Sequence, residues 1–289
     1  MTKNGAVQPL VSVDELAEHL HDPHWIIVDC RFNLLRPDAG RQAYAAGHIP
    51  GAFYADLDKD LASAASAESG GRHPLPEAVS LGRLFASWGV GVDSMVVVYD
   101  DVGGAFAARL WWLLKWMGHA RVALLDGDLR AWQAANYALS RGLADTARSE
   151  SPRVYGTPGH MPVIDVAELE TGLADDSLLL LDARTPDRFA GKQEPLDRVA
   201  GHVPGALNLP YQDNLRLDGF FHAGHALRAQ YESRIGARPP SELVCMCGSG
   251  VTACHTLLAL ELAGIKGASL YVGSWSDWVS SAQRPVATE

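Results

Sequence analysis

Two segments of this 289-residue chain recur at long range. Ile26-Ile27-Val28-Asp29-Cys30-Arg31 returns as Leu179-Leu180-Leu181-Asp182-Ala183-Arg184, 153 residues later. Ala46-Gly47-His48-Ile49-Pro50-Gly51-Ala52 returns as Ala200-Gly201-His202-Val203-Pro204-Gly205-Ala206, 154 residues later. Solenoid repeats run to roughly 20–50 residues, so a period this long is two whole domains. Further on, Val96–Asp100 answers Glu242–Met246, and Leu124–Gly127 answers Leu270–Gly273. The boundary is expected in the stretch 149–161, which carries Pro152, Pro158 and two glycines. The expected division is therefore 1–148 and 162–289, joined by that linker.

Within each half the apolar runs are short and continuous, as in strands covered on both faces. They are Trp25–Val28, Met95–Tyr99, Val122–Leu125, Leu178–Leu181 and Leu243–Met246. Helix-period segments lie between them: Val13–His21, Leu81–Trp88, Phe106–Met117, Val166–Leu173, His225–Ile235 and Val251–Ala263. Ser12 with Glu15, and Asp165 with Glu168, are helix-start signals. Strands alternating with helices predict an α/β fold, with a mainly parallel sheet flanked by helices in each half. Ligands in such sheets sit beyond the carboxyl ends of the strands.

One such end carries a thiol. Leu243–Met246 reads as a buried strand, followed by Cys247, a Gly248-Ser249-Gly250 turn, and a helix start at Val251-Thr252. Backbone N–H groups turned inward there, with a helix N-terminus, would favour negative charge on sulfur. Cys247 is therefore the expected nucleophile. Cys30, Cys245, Cys247 and Cys254 are too few and too clustered for a disulfide framework, which suits a reducing cytoplasm. Their spacing lacks a C-x-x-C pair, and no metal or other cofactor is expected. A Cys-x5-Arg phosphatase would need arginine at position 253, where Ala253 stands. The formal charge of −10 argues against nucleic acid or an anionic membrane as partner. No apolar run approaches the roughly 20 residues of a membrane span, and no signal peptide is visible near Met1 to Val13.

The duplicated Asp-x-Arg and Gly-His-[Ile/Val]-Pro-Gly-Ala pattern, with a loop cysteine in the second half only, resembles the tandem-domain rhodanese superfamily. The loop Cys247-Gly248-Ser249-Gly250-Val251-Thr252, and Gly273-Ser274-Trp275 with Trp278, are similar to the 3-mercaptopyruvate sulfurtransferase branch. The resemblance implies a sulfurtransferase that works through a Cys247 persulfide. Sulfur would pass from 3-mercaptopyruvate to a small thiol, thioredoxin or cyanide, with Gly248, Gly250, Val251 and Thr252 lining the donor. It implies that Arg188 and Arg198 bind the donor carboxylate. It also implies that Ser249 joins His73 and Asp58 in a proton relay.

Two other readings stay open. Thiosulfate could be the donor, although Gly248 and Ser249 offer no cation to a dianion. A non-enzymatic persulfide carrier or docking protein would deliver sulfur only to a protein partner. Counting back from Gly118 and Gly264 places Asp101 at the position of Cys247, so the first half is expected to be catalytically silent. His48 and His202 recur in both halves and read as turn-fixing residues. Asp29 with Arg31, and Asp182 with Arg184, read as buried pairs at strand ends. Trp275 and Trp278 are expected to wall the active-site side.

Overall fold

The computed structural model describes residues 7–65, 71–143 and 155–288. Residues 149–154 of the expected linker lie outside the described residues, as do 66–70 and 1–6. The chain separates into two compact units. The first comprises Met1–Ser63, Pro76–His160 and Leu217–Phe221. The second comprises Ala64–Leu75, Met161–Arg216 and His222–Glu289. Two short segments are thus grouped with the unit from the other half of the chain.

The first unit runs β1 (Leu10–Val11), α1 (Val13–Glu18), β2 (Trp25–Asp29), α2 (Asp38–Ala46), β3 (Phe53–Tyr54), α3 (Ala78–Ser87), β4 (Met95–Tyr99), α4 (Ala107–Trp116), β5 (Val122–Leu125) and α5 (Asp128–Ala134). The second repeats the plan with β6 (Val163–Ile164), α6 (Val166–Ala174), β7 (Leu179–Asp182), α7 (Pro186–Phe189), β8 (Leu207–Asn208), α8 (Gly224–Ile235), β9 (Leu243–Met246), α9 (Thr252–Leu262), β10 (Ser269–Tyr271) and α10 (Ser274–Trp278). The sheets have matching strand orders, β1-β5-β4-β2-β3 and β6-β10-β9-β7-β8, and every pairing is parallel. Each β4 residue is buried, as its unbroken Met-Val-Val-Val-Tyr run requires of a strand covered on both faces. Ser12 caps α1 through the Glu15 N–H, and Asp165 with Glu168 closes a full capping box on α6.

The strand order places the site. Chain leaving β7 goes to β8 on one side, while chain leaving β9 goes to β10 on the other. Between β7 and β9 the connections diverge, which opens a crevice at the carboxyl ends of these two strands. Cys247 follows β9, and Arg184 and Arg188 follow β7.

Sheet register also corrects the alignment of the halves. Asp29 pairs with Tyr99, and the equivalent Asp182 pairs with Met246. The residue at the position of Cys247 is therefore Asp100, not Asp101. From this position to the glycine after the following helix the first unit is one residue longer, 18 positions (Asp100 to Gly118) against 17 (Cys247 to Gly264), so counting back from Gly118 lands one place late.

The recurring motifs hold these strand ends. Arg31 grips the Asp29 carboxylate at 2.6–3.1 Å and donates to the Gly47 carbonyl at 2.7 Å. Arg184 does the same with Asp182 and the Gly201 carbonyl. His48 stacks on Tyr44 and bonds its carbonyl; His202 stacks on Phe189 and bonds that carbonyl. Because the Asp182–Arg184 pair is buried, removing one partner strands a charge. Asp182→Ala is expected to destabilise the second unit by about 3–5 kcal/mol in denaturant titration. A loss below about 1 kcal/mol would mean that the pair does not hold the strand end.

Candidate active site

Cys247 is 2% exposed at the start of the loop between β9 and α9. Its backbone is fixed by the first turn of α10. The Cys247 N–H donates to Ser274 Oγ at 3.1 Å, and its carbonyl accepts from the Trp275 N–H at 3.0 Å. The Ser276 N–H bonds the next carbonyl, that of Gly248, at 3.0 Å. Ser274 is itself buried, holds a left-handed φ of 53°, and donates to the Tyr271 carbonyl. Gly250 turns the loop at φ 74°, and a Cβ there would lie 2.6 Å from the Val272 carbonyl oxygen. Cys254 ties the loop from α9, with its thiol 3.3 Å from the Gly250 carbonyl. Val251 immediately precedes α9 and Thr252 begins it.

The first unit shows what this type of loop accommodates. Asp100 is buried, and its carboxylate accepts the N–H groups of Val102, Gly104, Phe106 and Ala107 at 2.8–3.0 Å. Burial pushes its pKa up to about 6, against the opposing pull of those four donors. An anionic side chain at this register therefore sits in a cradle of backbone donors. In the second unit the same register carries the Cys247 sulfur.

A strip from the first half of the sequence lies along the thiol loop inside the second unit. Gly71 packs so tightly that a Cβ would meet the Gly273 carbonyl at 2.5 Å. The Arg72 N–H donates to Ser276 Oγ at 3.0 Å. His73 is buried, with Nδ1 2.7 Å from Ser249 Oγ, also buried. A Cβ on Gly248 would stand 3.0 Å from Nη2 of Arg72 and 3.3 Å from Nη2 of Arg188. Arg188 chelates Glu194 and touches Asp197, which also pairs with Arg72. Two guanidiniums thus abut the residue after Cys247. Gly248 and Ser249 themselves carry no cation, as the sequence indicates, but Arg72 and Arg188 bring two guanidiniums against Gly248 from other segments. Arg72 itself carried no motif.

The remaining expected residues make contacts of their own. Arg198 donates to the carbonyls of Val279 and Ser280, which fixes its guanidinium on the chain after α10. Asp58 is in the first unit, where its N–H closes a turn on Asp56. Trp275 and Trp278 are core residues rather than a site wall. They are buried, and their ring N–H groups bond the Val199 and Pro285 carbonyls. Cys245 is buried in β9, and desolvation raises its pKa well above that of an ordinary thiol. All four cysteines are free, and no cluster of metal-ligating side chains occurs among the described residues.

The Rhodanese-like domain family model matches residues 12–135 and again 165–281. The chain belongs to the rhodanese family. It is 46% identical over 280 residues to a Pseudomonas aeruginosa protein named "Probable 3-mercaptopyruvate sulfurtransferase", covering 96% of this chain and 98% of that one. It is 30% identical to the thiosulfate sulfurtransferase of Mus musculus, covering 94% and 92%. Its structure resembles the 3-mercaptopyruvate sulfurtransferase from Leishmania major with a TM-score of 0.82 and 31% identity, over 99% of this chain and 77% of that one. Of its two rhodanese domains, only the second carries a cysteine at this register, where the first has Asp100. The loop's dependence on Gly250 is testable. Gly250→Ala must accept a left-handed Cβ and a backbone clash, which displaces the thiol. Activity is expected to fall about 100-fold with circular dichroism unchanged. Retained activity would show that the loop tolerates another path.

Proposed function

We propose that the protein is a sulfurtransferase that takes sulfane sulfur from 3-mercaptopyruvate and carries it as a persulfide on Cys247. In the first half-reaction the Cys247 thiolate attacks the donor sulfur. The S–S bond forms as the donor C–S bond breaks, and its electron pair leaves with pyruvate as the enolate. In the second, a nucleophilic acceptor, a thiolate or cyanide, attacks the outer sulfur to form a disulfide-level S–S bond or thiocyanate and releases the Cys247 thiolate. A small thiol, thioredoxin or cyanide fits that role. The cycle needs no cofactor and is ping-pong. The backbone from Gly248 to Thr252 stabilises the anionic sulfur in both half-reactions, as the first unit's loop does for Asp100. With Asp100 in place of a thiol, the first domain is silent. No described helix is long and apolar enough to cross a membrane, and four free thiols suit the cytoplasm.

The His73–Ser249 hydrogen bond carries the choice of donor. An enolate is a strongly basic leaving group and gains from a proton as it departs. Sulfite, leaving from thiosulfate, needs none. A buried hydroxyl bonded to an imidazole, two residues after the nucleophile, supplies that proton. Asp58 remains the candidate third member of the relay. Arg188 is the candidate carboxylate ligand. Thiosulfate is the second reading, favoured by the two guanidiniums against Gly248.

Steady-state assays with purified protein separate these readings. Cys247→Ser is expected to abolish transfer from either donor, and retained transfer would relocate the nucleophile. Ser249→Ala is expected to lower kcat for 3-mercaptopyruvate by roughly 10²–10⁴-fold, with thiosulfate turnover little changed. Equal losses for both donors would remove the proton-transfer role. A higher kcat/KM for thiosulfate in the wild type would make thiosulfate the donor. Failure to turn over either donor would leave the carrier reading.

A further inference from the structure

Resting on the sulfurtransferase reading, we propose that Arg72 is a donor-positioning residue, and that its pairing with Asp197 tunes the site toward a monoanionic donor. Arg72 and His73 run beside the thiol loop in register. Arg72 stands against Gly248, while His73 bonds Ser249. Ser276 locks the two strips together. It receives the Arg72 N–H on Oγ, donates its own N–H to the Gly248 carbonyl, and anchors Oγ to the Gly273 carbonyl. With Gly71 wedged on Gly273, the backbone that presents Arg72 has little freedom. The guanidinium is held next to the nucleophile's neighbour.

The side chain retains access to solvent. It is 29% exposed and lines a cavity of about 430 Å³ with Asp197, Arg198 and Ser276. The geometry already accommodates a carboxylate between the two cations. One oxygen of Asp197 faces Arg72, and the other lies 3.4 Å from Arg188. A planar guanidinium fits a carboxylate through paired N–H donors. The cluster of Arg72, Arg184 and Arg188 against Asp182, Glu194 and Asp197 is formally neutral. A neutral cluster gives little net attraction to offset the cost of taking the ligand out of water, and that cost is larger for a dianion than for a monoanion. Removing the Asp197 charge leaves the site one unit more positive and favours a dianion.

The test is steady-state kinetics on the full chain with 3-mercaptopyruvate and with thiosulfate, for wild type, Arg72→Met, Arg72→Lys and Asp197→Asn. Thermal melting accompanies each variant. Arg72→Met is expected to raise KM for 3-mercaptopyruvate roughly ten- to hundredfold while kcat moves far less, with Arg72→Lys intermediate. Asp197→Asn is expected to raise the thiosulfate-to-mercaptopyruvate ratio of kcat/KM by roughly tenfold. If Arg72→Met loses its fold, the Asp197→Asn ratio alone decides. An unchanged or lowered ratio overturns the proposal, as does a folded Arg72→Met with KM within about twofold of wild type. A wild type that is inactive with both donors contradicts the sulfurtransferase reading. An active wild type indifferent to these substitutions contradicts this inference alone.

Discussion

At the carboxyl end of β4 the chain turns four backbone N–H groups onto one carboxylate, that of Asp100. Buried donors left without an acceptor cost on the order of 1–3 kcal/mol each, so a loop of this shape calls for a negative partner. The first unit supplies that partner from its own side chain. The second places sulfur at the same register, where a thiolate or persulfide brings the charge during turnover. In the second unit the α10 contacts on Cys247 and Gly248 and the left-handed Gly250 fix the path of the matching loop.

On the proposed function, that arrangement lets one architecture carry a silent and a reactive copy. The twin Asp-Arg pairs and stacked histidines hold the strand ends alike in both units. They therefore belong to the scaffold rather than to the chemistry. What distinguishes the second unit is added at the loop's rim: a buried serine-histidine contact and two guanidiniums moderated by carboxylates.

Much of this was legible in the sequence because it is local or repeated. Strands β2, β4, β5, β7 and β9 produce continuous apolar runs, and their boundaries agree within one residue, whereas the three-residue β10 was not read as a strand. The two-residue strands β1, β3, β6 and β8 leave too short a pattern to read, and α2, α5, α7 and α10 went unpredicted. The Asp100 register was hidden by one extra residue between the strand end and the glycine that ends the following helix. Sheet pairing resolves this difference, whereas counting from helix ends does not. Arg72 was missed for a different reason. It lies 175 positions from Cys247, and Gly-Arg-His-Pro has no periodicity or spacing that points to a thiol. Arg198 was expected at the donor carboxylate only through the family resemblance, and its guanidinium donates to the carbonyls of Val279 and Ser280 after α10.

The central claim is that the anion-holding loop of the second unit carries sulfur on Cys247. Protein exposed to 3-mercaptopyruvate without an acceptor, alkylated and mapped by peptide mass spectrometry, tests it directly. The account predicts one added sulfur atom on the peptide position of Cys247 and none on Cys30, Cys245 or Cys254. Sulfur stably carried on any of those three, with Cys247 unmodified, would contradict it.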